Sequence, residues 1–239
     1  MAYYEIIAGS RCYGLNIEGS DIDLCRVADS WNTAGHEGSY HVIQVPREEF
    51  ADRVMLLRET PLYAQWLFPH EVLVPGDVWG LILDKRERIV LAARKRVWET
   101  HFQFAEGMSL YPEHYYPRFP KRLAYSTLFY DMLARYAAGV PFAQAIRPEE
   151  ETRQTLLAMR RKELPLEDAI AQNQDARRRA EQVSRFYDAE PDMGYLEQVS
   201  RDFCSLLGLP PSDRGRPGKG PDGPHGAGPA GPAHCCVRR

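Results

Sequence analysis

Two short runs, Gly9-Ser10-Arg11 and Asp21-Ile22-Asp23, place residue types that handle phosphate and metal within fifteen positions of each other. Carboxylates at i and i+2 on a strand point to the same face. Side by side they repel each other, and a bound cation removes the conflict. Asp21 and Asp23 offer hard oxygen ligands, which suit Mg²⁺ together with substrate phosphates. Gly9 lets a ligand approach the backbone closely, because it has no side chain. Ser10 offers a hydroxyl and an amide where a short helix would begin, and helix N-termini attract phosphate. Arg11 adds a cationic partner for that phosphate. Two ions about 3.5–4 Å apart would clamp an in-line displacement at phosphorus, one activating the attacking hydroxyl, the other holding the leaving pyrophosphate. Taken singly, Gly-Ser is an ordinary turn dipeptide, Asp-X-Asp an ordinary solvated strand end and Arg11 an ordinary surface residue. Their order and spacing make the rarer combination.

Such groups need rigid elements to hold them, and the neighbouring sequence supplies candidates. YYEII (3–7) and DIDLCRV (21–27), bounded by Gly and Ser, read as strands, and YHVIQV (40–45) as a third that ends at Pro46. The period then changes. REEFADRVMLLRE (47–59) places Phe50, Val54 and Leu57 on one helical face, with acids in its first turn. TPLYAQWLF follows, with Thr60 as its cap and Pro61 at the first helical position. From about Asp77 onward the chain reads as helical. KRERIVLAARKRVWETHFQF (85–104) comes first, then KRLAYSTLFYDMLARYAAG (121–139), which stops at Gly139. PEEETRQTLLAMRRKE (148–163) carries acids first and bases last, as a helix dipole favours. LEDAIAQNQDARRRAEQVSRF (166–186) and MGYLEQVSRDFCSLLG (193–208) complete the set. The expectation is an α+β protein with a small mixed sheet at the front, residues 1–80, and a helical half, residues 81–208.

Residues 209–239 form a Gly/Pro-rich tail with almost no large apolar side chain, and composition predicts disorder there. The tail has no sustained Gly-X-Y period, which excludes collagen. Its ending, Cys236-Val237-Arg238-Arg239, has the length of a prenylation box but carries Arg238 where an aliphatic residue belongs.

The 239 residues are 44% hydrophobic and 26% charged, ordinary for a globular protein, with a formal net charge of −3. Without the tail the balance is 25 basic against 31 acidic residues, which excludes a wholesale polyanion binder while leaving room for a local basic groove. Arg160-Arg161-Lys162 and Arg177-Arg178-Arg179, with acids interleaved, read as solvated helix faces. No apolar run approaches a membrane span, and no charged start leads into an apolar signal region. The five cysteines show neither a disulfide framework nor paired zinc spacing, so a reduced, cytoplasmic protein is expected.

GSRCYGLNIEGSDIDL (9–24) resembles the Gly-Ser…Asp-X-Asp signature of the DNA polymerase beta-like nucleotidyltransferase superfamily. The form GSR-x-YG…SDxDL is most similar to its bacterial and phage branch of predicted nucleotidyltransferases, some of them placed in RNA-repair contexts. The strand, the REEFADRVMLLRE helix, the TPLYAQWLF helix and PKRLAYSTLFYDMLARYAAG extend the likeness over about residues 3 to 200. The resemblance implies a nucleotidyltransferase-type sheet. It also implies transfer of a nucleoside monophosphate from a nucleoside triphosphate to a hydroxyl on an RNA end, a small molecule or a protein. By it, Gly9 and Ser10 hold the triphosphate, Asp21 and Asp23 bind Mg²⁺, and Lys121 adds a phosphate contact. The superfamily's third carboxylate belongs on the next strand, where this chain has SYHVIQVP; registering Phe50 with the family's helix puts His41 in that place. His41 accepts softer ions such as Mn²⁺, and as a neutral imidazole it can take the acceptor's proton. Gln65 stands where the family usually shows Glu. The loss of two acids admits a second reading, a nucleotide- or protein-binding, antitoxin-like module. An interaction protein built on the helical half is a third.

Overall fold

A computed structural model of the chain describes residues 2–30, 32–57, 61–109 and 119–210. The cap expected at Thr60, the side chain of Val54 and the tail beyond residue 210 lie outside the described residues. The protein is α+β. Five strands, β1 (Tyr4–Ile7), β2 (Ile22–Ala28), β3 (Asn32–Glu37), β4 (Tyr40–Pro46) and β5 (Glu71–Val74), form one mixed sheet in the order β3-β4-β2-β1-β5. Only β2 and β4 run parallel; every other neighbouring pair is antiparallel. β3 and β5 were not expected. Both are edge strands, and neither carries the apolar alternation that marks a buried strand in sequence.

The alternation of side chains sorts the sheet into two faces. Tyr4, Ile6, Cys25, Val27 and Val45 enter the main core. Ile7, Leu24 and Val42 form a smaller cluster on the other side, with Ile22 and Tyr40 packed against it. The helices α1 (Arg47–Leu56) and α2 (Leu62–Leu67) close over the main face. The Tyr4 ring meets Phe50 and Trp66 at 5.9 Å, and its hydroxyl donates to the Trp66 carbonyl at 3.0 Å. Side chains of this size buried together contribute on the order of 2–3 kcal/mol each.

The stretch 85–104, read as part of one helix, is broken. α3 (Val78–Ala92) and α4 (Arg94–Ser109) meet at Ala93, which leaves helical torsions at φ −104° and ψ 17°. The Ala92 carbonyl freed by the break accepts from the Asp192 amide at 3.0 Å. Alanine is a strong helix former, so local composition does not announce the break, and the distant Asp192 amide satisfies the carbonyl it frees. α5 (Phe119–Ala137) is the buried centre of the helical half and stops where expected, before Gly139 with its φ of +94°. Around it lie the short α6 (Phe142–Ala145), then α7 (Glu150–Arg161), α8 (Leu166–Gln182) and α9 (Met193–Leu206). Two amides of α6 donate to the Glu87 carboxylate at 2.9 and 3.0 Å. One core cluster runs from Tyr4 to Leu207, joining sheet and helices, and the boundary drawn at residue 80 falls within α3. Phe203 of α9 packs on Phe50 of α1, and Arg47 donates to the Leu207 carbonyl at 2.7 Å. Among the described residues no helix is long and apolar enough to cross a membrane.

Candidate active site

After β1 the chain turns through one turn of 3-10 helix, Gly9–Arg11, and returns in β2. Gly9 sits at φ +65°, and a Cβ there would stand 1.8 Å from Asp23 Oδ2. The Asp23 carboxylate therefore lies directly over the Gly9 backbone, and only glycine fits beneath it. The Ala8 amide donates to the Asp23 carbonyl at 2.8 Å, locking turn and strand together. The Gly9 amide itself donates to Gln65 Oε1 at 2.6 Å, and Gln65 Nε2 donates to the Tyr13 hydroxyl at 2.7 Å. Gln65, where an acid was the family expectation, clamps the turn from α2. Gly9 then contributes space, with its amide already taken. A Gly9→Ala protein is expected to lose about 2 kcal/mol or more to left-handed strain and displacement of Asp23. Thermal melts would show the loss; an unchanged melting temperature would mean the carboxylate moves aside freely.

His41 stands beside Asp23 in the parallel register of β2 and β4, and its Nδ1 is 3.0 Å from Asp23 Oδ1. A carboxylate only accepts, so Nδ1–H donates; in the neutral imidazole this leaves the lone pair on Nε2. The sheet thus sets His41 directly across from Asp23 on the neighbouring strand. His36, opposite His41 across β3 and β4, brings its ring within 5.6 Å of the His41 ring. It escaped the sequence reading because β3 did. Asp21 lies exposed one residue before β2 begins, on the side of Asp23 if the strand alternation is extended. Among the described residues no three of His, Cys, Asp or Glu converge on a metal-sized site. Asp21 and Asp23 are hard carboxylate donors of the type that bind a divalent ion whose remaining ligands come from water or a bound molecule.

Ser10 is buried and lies close enough to the Tyr125 phenol of α5 to influence it. Tyr125 meets the Tyr13 ring edge-on at 5.8 Å, so α5 is keyed to the turn. Burial pushes the Tyr125 phenol above its ordinary value, Asp23 adds to the rise, and Arg160 and Ser10 oppose it. Arg160 lies 5.7 Å over the Tyr125 ring and is only 9% exposed. Its buried Nε and Nη1 have no partner, and neither has the buried Nε of Arg11. Arg147 Nε donates to the Cys12 carbonyl at 3.3 Å, and Arg153 Nη1 to the Gly14 carbonyl at 3.4 Å. Four arginines thus surround one turn, although the folded body has an excess of acid. This corrects the reading of Arg160 as part of a solvated face; Arg161 beside it is exposed. Lys121 is exposed in the first turn of α5, one helical turn before Tyr125 and on its face.

Burial raises the Cys12 thiol to about 12, and Cys25 is likewise pushed up, so neither serves as a nucleophile beside Asp23. No known protein family, curated protein or solved structure matches the chain.

Proposed function

We propose that this chain is a metal-dependent nucleotidyltransferase of the DNA polymerase beta-like kind, moving a nucleoside monophosphate from a nucleoside triphosphate to a hydroxyl. The observation that carries the reading is the Asp23 carboxylate seated over Gly9, in the same turn that holds buried Ser10 and Arg11. A site for a polyphosphate beside a carboxylate has this composition. Asp23 with Asp21 would hold a divalent ion, Mg²⁺ or Mn²⁺, which neutralises charge developing on the phosphates. The remaining work falls to the chain's own groups. Ser10, Arg11 and Arg160 bind the triphosphate, and Lys121 reaches its outer end from the rim. His41, oriented by Asp23, takes the acceptor's proton at Nε2. The acceptor oxygen bonds to the α-phosphorus as the bond from that phosphorus to the bridging oxygen breaks, and pyrophosphate leaves. A cytoplasmic location, where nucleoside triphosphates are supplied, belongs to the same proposal.

A second reading is favoured by one observation, the presence of His41 where the superfamily places its third acid. In that reading the site binds nucleotide, or docks a protein, without turnover. The two are separated by incubating the protein with each of the four α-labelled nucleoside triphosphates, with Mg²⁺ or Mn²⁺, against RNA 3′ ends, small alcohols and the protein itself. Label transfer with pyrophosphate release is the expected result. Tight metal-dependent ATP binding with no transfer to any acceptor would overturn catalysis and leave the binding module.

A further inference from the structure

Tyr125 brings the helical half to the Gly9 turn. Its ring meets Tyr13 edge-on at 5.8 Å and Phe129 at 6.2 Å, and the Arg160 guanidinium of α7 lies 5.7 Å over it. Ser10 and Arg160 both stand close enough to influence the phenol, and Asp23 acts on it through charge alone. Tyr125 is half-buried, in a corner otherwise closed by the buried side chains of Ser10 and Arg160.

Hydrogen bonding in this corner is unbalanced. A guanidinium only donates, and each hydroxyl carries one proton. However the Tyr125 and Ser10 hydroxyls are turned toward each other, one proton is left over. The backbone of the turn does not take it up, because its carbonyls are engaged. Those of Gly9, Ser10 and Arg11 accept from the amides of Cys12, Leu15 and Gly14, and those of Cys12 and Gly14 accept from Arg147 and Arg153. Burial keeps the phenol protonated near neutral pH, so it adds a donor and no charge. The missing partner is an acceptor-rich group, and a phosphate is one.

We infer that the Tyr125 hydroxyl binds the nucleotide, donating its proton to a phosphate oxygen of the triphosphate beside Ser10 and Arg160. The inference rests on the nucleotidyltransferase reading and deepens it: α5 then supplies a substrate contact, and the sheet alone does not complete the site. Docking of α5 on the turn belongs to the Tyr125 ring; binding belongs to its hydroxyl. Tyr125→Phe separates the two, because the ring contacts stay and one O–H goes.

The test is calorimetric titration of the full chain with inorganic triphosphate and with ATP, each without divalent metal, followed by transfer kinetics with Mg²⁺. Tyr125→Phe is expected to keep the native melting temperature and to weaken both ligands about tenfold, the scale of one hydrogen bond to a charged group. The KM for the nucleoside triphosphate should rise by the same factor while kcat stays within about twofold, since Asp23 and His41 are untouched. Tyr136→Phe removes another phenol of α5, one packed on Phe142 and Phe186, and should change neither quantity. Native affinity in Tyr125→Phe would overturn the inference alone, and a lowered melting temperature with that affinity would assign the hydroxyl to the fold. A fall in kcat with KM unchanged would overturn it too. A native chain that binds neither triphosphate nor ATP would instead remove the nucleotide reading, and the inference with it.

Discussion

Asp23→Asn is expected to keep the fold and lose metal-dependent pyrophosphate release by about 10³-fold or more, the scale at which removing one electrostatic group at a reacting centre acts. The amide has the shape of the carboxylate, so it still fits over Gly9, and its oxygen still accepts from His41 Nδ1. What disappears is the charge. Under the proposed function the site then loses a metal ligand, while Ser10, Arg11 and Arg160, proposed to hold the triphosphate, are untouched. Triphosphate binding in the absence of metal should therefore persist or strengthen, and the melting temperature should stay within a few degrees of the native value. A labelled-transfer assay on both proteins separates these effects. Turnover equal to the native protein's would remove Asp23 from the chemistry. Parallel loss of melting temperature and turnover would mean that only the fold had been tested.

Acid should unfold this protein through His101. The imidazole is buried in α4 between the rings of Phe129 and Phe142. Its Nδ1 donates to the Val97 carbonyl at 2.9 Å, and its Nε2 is buried with no partner. Burial lowers its pKa from 6.5 to about 4. Below pH 6.5 the unfolded chain takes a proton that the folded chain refuses, so the unfolded state binds more protons and stability falls as pH falls. The loss continues to about pH 4, where the folded state also protonates, and amounts to about 3 kcal/mol at that point. Urea titrations of the native protein and His101→Leu at pH 7 and pH 4 measure it. The variant loses packing at both pH values but should lack this share of the pH dependence. Identical pH slopes would show that the imidazole is not held neutral.

The parts of the fold that were legible are those in which local pattern and tertiary role agree. α5 carries apolar residues all round and ends at a glycine in the left-handed region; α7 shows its acids and bases in dipole order. The Gly9 turn and the Asp23 strand were legible because their chemistry is crowded into fifteen positions. β5 was hidden by its length, four residues at a sheet edge, and the break at Ala93 by a partner a hundred residues away. Arg160 was misread although a signal existed: it falls four residues after Leu156, on the buried side of α7. A run of three bases masked that spacing. Arg147 and Arg153 offered no comparable signal, since each acts by donating to a carbonyl more than 130 residues earlier. His36 became visible only when β3 placed it across from His41.

The packing of Phe203 on Phe50, with the bond from Arg47 to the Leu207 carbonyl, sets an order of events during synthesis. The sheet and α1 are synthesised early, but part of the surface that shields them is carried by α9, the last helix among the described residues. Until α9 arrives, Phe50 and its aromatic neighbours face water, in a state open to aggregation or to capture by a chaperone. A nascent chain stalled near residue 190 should accordingly be more sensitive to protease within α1 than the finished protein. The helical layer over the sheet is thus completed only when α9 packs on α1.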